Sequence, residues 1–198
     1  MNILILHPNF PGQFKHVAQA YCNLGHTVKF LCQTHYGRKL QGVHRLTLKG
    51  RLGAEHLNKQ KLSLLEKSQS MSTQYREALV DIVAGGWVPD VVISHSAWGC
   101  GMHVKEVFPK TKLITYVEWW FNPESHFFTY DESNIDLNIN RSQTQKCWAR
   151  NQTISLELAS ADILVAPTHW QRSQLPKTFQ DKCTIIFDGI DSNKFNSR

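Results

Sequence analysis

The sequence contains no apolar run approaching the length of a membrane span. It does not open on a basic stretch followed by an apolar segment and a cleavage site, so no secretory signal is read and a cytoplasmic location is expected. Its five cysteines, Cys22, Cys32, Cys100, Cys147 and Cys183, are odd in number, widely spread and free of any CxxC pair. That argues against a disulfide frame and a zinc site, and for reduced thiols. GxGxxG is absent, which disfavours a dinucleotide cofactor, and GxxxxGK[ST] is absent, which disfavours a P-loop triphosphatase. No nucleophile elbow, local Ser-His-Asp pattern or cluster of metal ligands occurs, and the ten histidines are scattered. The formal charge of +6 favours anionic partners such as nucleotide diphosphates or anionic lipid headgroups, although ordinary solubility is a sufficient reason for it. The basic residues form no block of like charge, so no nucleic-acid partner is expected.

What is present is a chain of 198 residues, 41% apolar and 19% charged, enough to build a packed core. The first 31 residues set its architecture. A strand-like run from Asn2 to His7 leads into Pro8-Asn9-Phe10-Pro11-Gly12. Phe14, Val17, Ala18 and Tyr21 then fall at i, i+3, i+4 and i+7, one face of a helix. Gly25 and a second apolar run, Val28 to Leu31, complete a βαβ unit of a parallel sheet.

The pattern continues. Val43 to Leu48 predicts a short strand, and residues from about Ala54 to Ala84 predict a long helical region stopped by Gly85-Gly86. Val91 to His95 reads as a buried strand, Gly101 to Phe108 as a short helix, and Lys112 to Val117 as the next strand. From Glu118 to Asn140 the chain is aromatic, polar and irregular, a length more typical of functional loops. Ser142 to Gln145 has a capping-box pattern opening a helix whose face is Cys147, Asn151, Ile154 and Leu158. Asp162 to Ala166 predicts a strand, Thr168 to Gln171 repeats the capping box, and Thr184 to Phe187 predicts the last strand before the turn Asp188-Gly189-Ile190-Asp191. The expected fold is a single α/β domain over residues 1–198: a Rossmann-like, doubly wound, mostly parallel sheet of about seven strands in the order 3-2-1-4-5-6-7, with helices on both faces.

In that order the chain reverses between the first strand and the strand ending at His95, so the loops after both strands flank one crevice. Pro11 and Gly12 stand on one side, His95 and Ser96 on the other. Gly12 can bring backbone N–H groups close to a phosphate at the positive end of the following helix, although a glycine between strand and helix is more often there for the turn. Two readings stand for His95: an imidazole that donates to a sugar hydroxyl or phosphate or exchanges a proton, or one that caps the next helix or bonds a carbonyl. His7 can reach the same crevice, with a structural role favoured. Glu118 can accept hydroxyl hydrogen bonds, and Trp119, Trp120 and Phe121 offer faces for sugars or bases, with at least two of the three expected to plug the long loop. For Asp188-Gly189 and Asp191 a turn is sufficient.

These residues bear a resemblance to a known family. Ile3 to His16, Leu24-Gly25-His26-Thr27-Val28, Pro89 to Gly99, Ser160-Ala161-Asp162 through Gln171, and Ile186 to Asp191 resemble, in order and spacing, a bacterial subgroup of glycosyltransferase family 4. The resemblance implies a GT-B fold of two Rossmann-like domains facing across a cleft, of which this chain would be the amino-terminal, acceptor-side half. It implies retaining transfer of a hexose from a nucleotide-diphosphate sugar to a glycan or lipid-linked acceptor, as in polysaccharide biosynthesis, with no metal and no other cofactor. Carried over by position, Gly12 with Pro11 would lie near the donor diphosphate and His95 would contact the donor sugar as the catalytic residue. Glu118, Trp119 and Ser96 are the candidates for acceptor or sugar contacts. The chain ends where the linker to the donor-binding domain would begin, so that domain is expected to be absent and the chain alone inactive. The positive charge suits peripheral contact with an anionic membrane. A second class stays open: a non-catalytic Rossmann-like module that pairs with another chain or senses a nucleotide-sugar.

Overall fold

Short apolar runs alternating with amphipathic segments build β1 (Asn2–Leu6), α1 (Lys15–Asn23), β2 (Thr27–Cys32), β3 (Val43–Thr47) and α2 (Leu64–Ala84). They continue through β4 (Val91–His95), α3 (Val104–Val107), β5 (Lys112–Tyr116), α4 (Arg141–Ser160), β6 (Ile163–Ala166), α5 (His169–Gln174), α6 (Lys177–Gln180) and β7 (Cys183–Ile185). Single 3-10 turns cover Gly12–Phe14 and His126–Phe128. The structure is a computed structural model, and it describes residues 1–34, 37–48, 61–128, 131, 133, 141–190 and 192.

The seven strands form one sheet in the order β3-β2-β1-β4-β5-β6-β7, every neighbouring pair parallel. This is the Rossmann-like order expected from the crossover rule. β1 is an inner strand, beside the central β4, and its Ile3 pairs with both Val28 and Val91. Both faces of β1 are buried, which is why its sequence is a continuous apolar run rather than an alternation. Leu4 and Leu6 face a large core shared with Tyr75 and Leu79 of α2 and Ile154 and Leu158 of α4. Ile3 and Ile5 face a second core with Phe30, Phe14 and Ala18 of α1. Toward β6 that second face is more open, and Ile114, Ile163 and Val165 are only half-buried. Among the described residues no helix is long and apolar enough to cross a membrane.

Four boundaries differ from expectation. Ser142 lies inside α4 instead of capping it. The box that does form is Ser63–Glu66: Ser63 Oγ accepts the Glu66 N–H at 3.3 Å, and Glu66 Oε2 accepts the Ser63 N–H at 2.8 Å. α3 is a single turn because Gly101 to His103 are spent on the turn that brings the chain off β4. β7 starts one residue early and ends at Ile185, since its partner strand ends at Ala166, and Ile186 and Phe187 project outward. Glu118 stands two residues past β5, in the loop and not on the strand. The expected helix over 54–60, Asp191, and most of 129–140 lie outside the described residues.

Candidate functional site

The register of the sheet decides what meets at its carboxyl rim. Leu6 pairs with Ser94, so His7 and His95 leave neighbouring strands side by side. Their rings meet edge to face, with centroids 5.1 Å apart. The turn after β1 closes over His7. Gly12 has φ +51, and a Cβ there would stand 2.8 Å from the His7 ring, so only glycine lets the backbone lie against it. Gln13, the next residue, reaches across: its Nε2 donates to Glu118 Oε2 at 3.1 Å and lies 3.4 Å from His95 Nε2.

His95 is 4% exposed. Its Nδ1 donates to the Ser96 carbonyl at 2.6 Å, and its Nε2 faces Glu118 Oε2 at 3.1 Å. That hydrogen bond holds the Glu118 carboxyl below the usual carboxylate range. Burial pushes His7 down to about 4, with the neighbouring His95 acting the same way, so His7 is neutral at pH 7. His7 Nδ1 accepts the Asn9 N–H at 2.9 Å. These groups surround a crevice of about 190 Å³ whose further walls are Ser96, Trp98, Trp119 and Phe121.

Every candidate site residue is therefore at one rim, in different positions. His95, Ser96, Glu118 and Trp119 line the crevice. Pro11 and Gly12 do not line it; they lie behind His7 and present Gln13 to it. Ser96 is 1% exposed, its N–H donates to the Tyr116 carbonyl, and its buried Oγ has no hydrogen-bond partner among the described residues. Trp120 and Phe121 pack against the main core, while Trp119 stacks outward with Trp170 and Phe127 at centroid distances of 5.3 and 5.1 Å. Asp188 is more than a turn residue, because it accepts the Tyr116 hydroxyl at 2.9 Å beside His95.

Two buried residues of α4 set this geometry, and neither was a candidate. Glu157 is fully buried; its carboxylate accepts the Ala97 N–H at 2.7 Å and the Gly101 N–H at 3.3 Å, with the Gly99 N–H nearby. It thereby fixes the loop after His95, where Ala97 has φ +81 and Gly99 packs against the backbone of α2. Burial pushes Glu157 up to about 7 despite those bonds. Asn151 grips the loop after β5 from both sides: its Oδ1 accepts the Phe121 N–H at 3.0 Å, and its Nδ2 donates to the Phe121 carbonyl at 2.8 Å. The signal was a polar residue within an apolar helical stripe, Asn151 among Cys147, Ile154 and Leu158, and Glu157 three residues after Ile154. Chemically, the crevice offers a positioned imidazole, a carboxylate behind it, an amide and aromatic walls. These are donors, a carboxylate acceptor and stacking faces for a hydroxylated ligand. Among the described residues, no group of three or more His, Cys, Asp or Glu is arranged to hold a metal ion.

Comparison with known proteins gives a consistent picture. The sequence profile of the glycosyl transferase family 4 group matches residues 24–195. No curated protein matches the chain in sequence. Among solved structures, sucrose-phosphate synthase from Thermosynechococcus elongatus aligns at TM-score 0.58 and 11% identity, covering 96% of this chain and 91% of that one. The catalytic domain of starch synthase IV from Arabidopsis thaliana, bound to ADP and acarbose, aligns at TM-score 0.55 and 15% identity over 98% of this chain and 52% of that one. UDP-GlcNAc 2-epimerase from Neisseria meningitidis, bound to UDP-GlcNAc, aligns at TM-score 0.54 and 14% identity, covering 93% and 45%. At these identities the likeness is one of fold, and the chain spans about half the length of the last two.

Proposed function

The chain belongs to the glycosyl transferase family 4 group, and from that premise we propose that it is the acceptor-side, amino-terminal half of a retaining glycosyltransferase that moves a hexose from a nucleotide-diphosphate sugar to a glycan or lipid-linked acceptor. The observation that carries the reading is the shared crevice: the turn holding Gly12 and the imidazole of His95 meet at one rim, at the point where strand order reverses. Two of the structural neighbours hold ADP or UDP-GlcNAc, which supports a nucleotide-linked ligand at such a rim. In this reading the donor lies between this rim and a second, donor-binding half. His95 Nε2 turns from Glu118 to a sugar hydroxyl or phosphate oxygen, and the Nδ1 bond to the Ser96 carbonyl keeps the imidazole oriented. The Gly12 turn backs His7 and presents Gln13 toward the donor. Trp119 and Ser96 contact sugar. No metal takes part, and the protein works in the cytoplasm, peripheral to the membrane.

The test is turnover of uridine-diphosphate sugars by this chain joined to a donor-binding half. His95→Ala is expected to lower turnover about a hundredfold or more while shifting thermal stability little. Equal loss of both would return His95 to a structural role. The chain alone is expected to be inactive, and sugar transfer by it would contradict the two-half arrangement.

A further inference from the structure

The crevice beside His95 adjoins a cavity of different chemistry. This second space, about 360 Å³, lies between the start of α2, the loop after β4, Phe121 and α4. It shares Ala97, Trp98 and Phe121 with the crevice. Its size falls within the range of small-molecule sites, about 300–1,000 Å³. Leu64, Met71, Trp98, Phe121 and Ile154 make its walls apolar. The Ser68 hydroxyl is buried in the lining with no hydrogen-bond partner among the described residues. Lys67 and Arg150 also line it, and among the described residues no carboxylate does.

Arg150 marks one end. Its guanidinium lies 4.6 Å from the centre of the Phe121 ring, and Phe121 is fixed by Asn151. Arg150 and Phe121 also line a neighbouring cavity together with Lys146. The carboxylate in that neighbouring lining, Glu118, is engaged by His95 and Gln13. An apolar wall ending in a planar guanidinium and an ammonium fits an amphiphile with an anionic head. The chain covers the wall, and the phosphate takes the paired donors of arginine. A free sugar would leave the wall uncovered, and a neutral chain would place no acceptor against the guanidinium of Arg150.

We propose that this cavity takes the hydrocarbon chain of a phosphate-bearing lipid, with the phosphate against Arg150 and Lys146, and that this lipid anchors the sugar acceptor. Its role as acceptor anchor rests on the glycosyltransferase reading; its binding does not. Phosphate at the Arg150 end places the next group of the molecule beside Phe121 and the His95 crevice.

The experiment titrates the chain calorimetrically with dodecyl phosphate below its micelle concentration, against inorganic phosphate and a neutral dodecyl polyoxyethylene ether. Dodecyl phosphate is expected to bind about tenfold or more tightly than the neutral ether, and inorganic phosphate not to saturate. Shortening the chain should weaken binding about fourfold per methylene. Ser68→Leu, which narrows the cavity from its buried wall, should weaken binding of the chain about tenfold or more, and Arg150→Ala should erase the preference for the phosphate head. Thr153→Leu serves as a second narrowing variant if Ser68→Leu does not fold. Equal affinity for the phosphate and the neutral ether would overturn the proposal by showing an apolar surface only, as would undiminished binding to the narrowed variant. Failure of dodecyl phosphate to bind, alongside loss of turnover in His95→Ala, would sink the lipid site and leave the enzyme reading standing.

Discussion

Glu157 and His7 are both buried titratable groups, and they tilt stability against pH in opposite directions. His7 has a folded pKa of about 4 against 6.5 unfolded. The stability it contributes is present above pH 6.5 and is lost as pH falls toward 4, because only the unfolded chain takes up the proton. Glu157 has a folded pKa of about 7 against 4.5. Its contribution is present below pH 4.5 and is lost as pH rises toward 7. Between about pH 4.5 and 6.5 the two slopes oppose. Glu157→Gln should cost about 1–3 kcal/mol, since its amide N–H2 would face backbone N–H donors that the carboxylate now satisfies. It should also unmask the His7 slope, so that stability rises steadily from pH 4 to 6.5. Urea unfolding at a series of pH values measures both. A variant that still loses stability between pH 5 and 7 would assign the falling limb to another group.

At the scale of the element, α4 is the organiser of the site. One helix carries Asn151, which holds the loop after β5, and Glu157, which holds the loop after β4. Asn151 is 3% exposed, so Asn151→Ala leaves the part-buried N–H and carbonyl of Phe121 without their side-chain partner. The expected loss is about 2–4 kcal/mol, with faster amide exchange confined to residues 118–128 and protection kept at residues 96–101. Uniform loss of protection across the chain would mean the clamp is not local. The apolar stripe of α4 was readable from its periodicity, and so was the Thr168 cap, where Thr168 Oγ1 accepts the Gln171 N–H at 3.2 Å. What the two buried polar residues hold was not readable. Their partners lie 30 and 60 residues away in the chain, and only the folded sheet brings them together. Ser142 fails as a cap because a local pattern competes with the helix that runs through it, whereas Ser63 makes the same box at the start of α2.

At the scale of the molecule, the sheet order followed from the apolar runs and the handedness of crossovers, and it located the crevice before any side chain was placed. The edge was less legible. The run from Thr184 to Phe187 looks uniform, but β6 ends at Ala166 and supplies no ladder partner past Ile186. The Gly12 turn was expected to line the crevice, and it instead supports His7 and sends Gln13 forward, a side chain that periodicity had no means of singling out. The central claim is that the β1 turn and the end of β4 form one functional site through Gln13, Glu118 and His95. A double-mutant cycle on turnover, in this chain joined to a donor-binding half, tests it most directly. Gln13→Ala should lower kcat/KM severalfold or more in the wild-type background and hardly at all when His95 is already alanine, with thermal stability measured for all four proteins. Full additivity of the two substitutions would contradict a shared site.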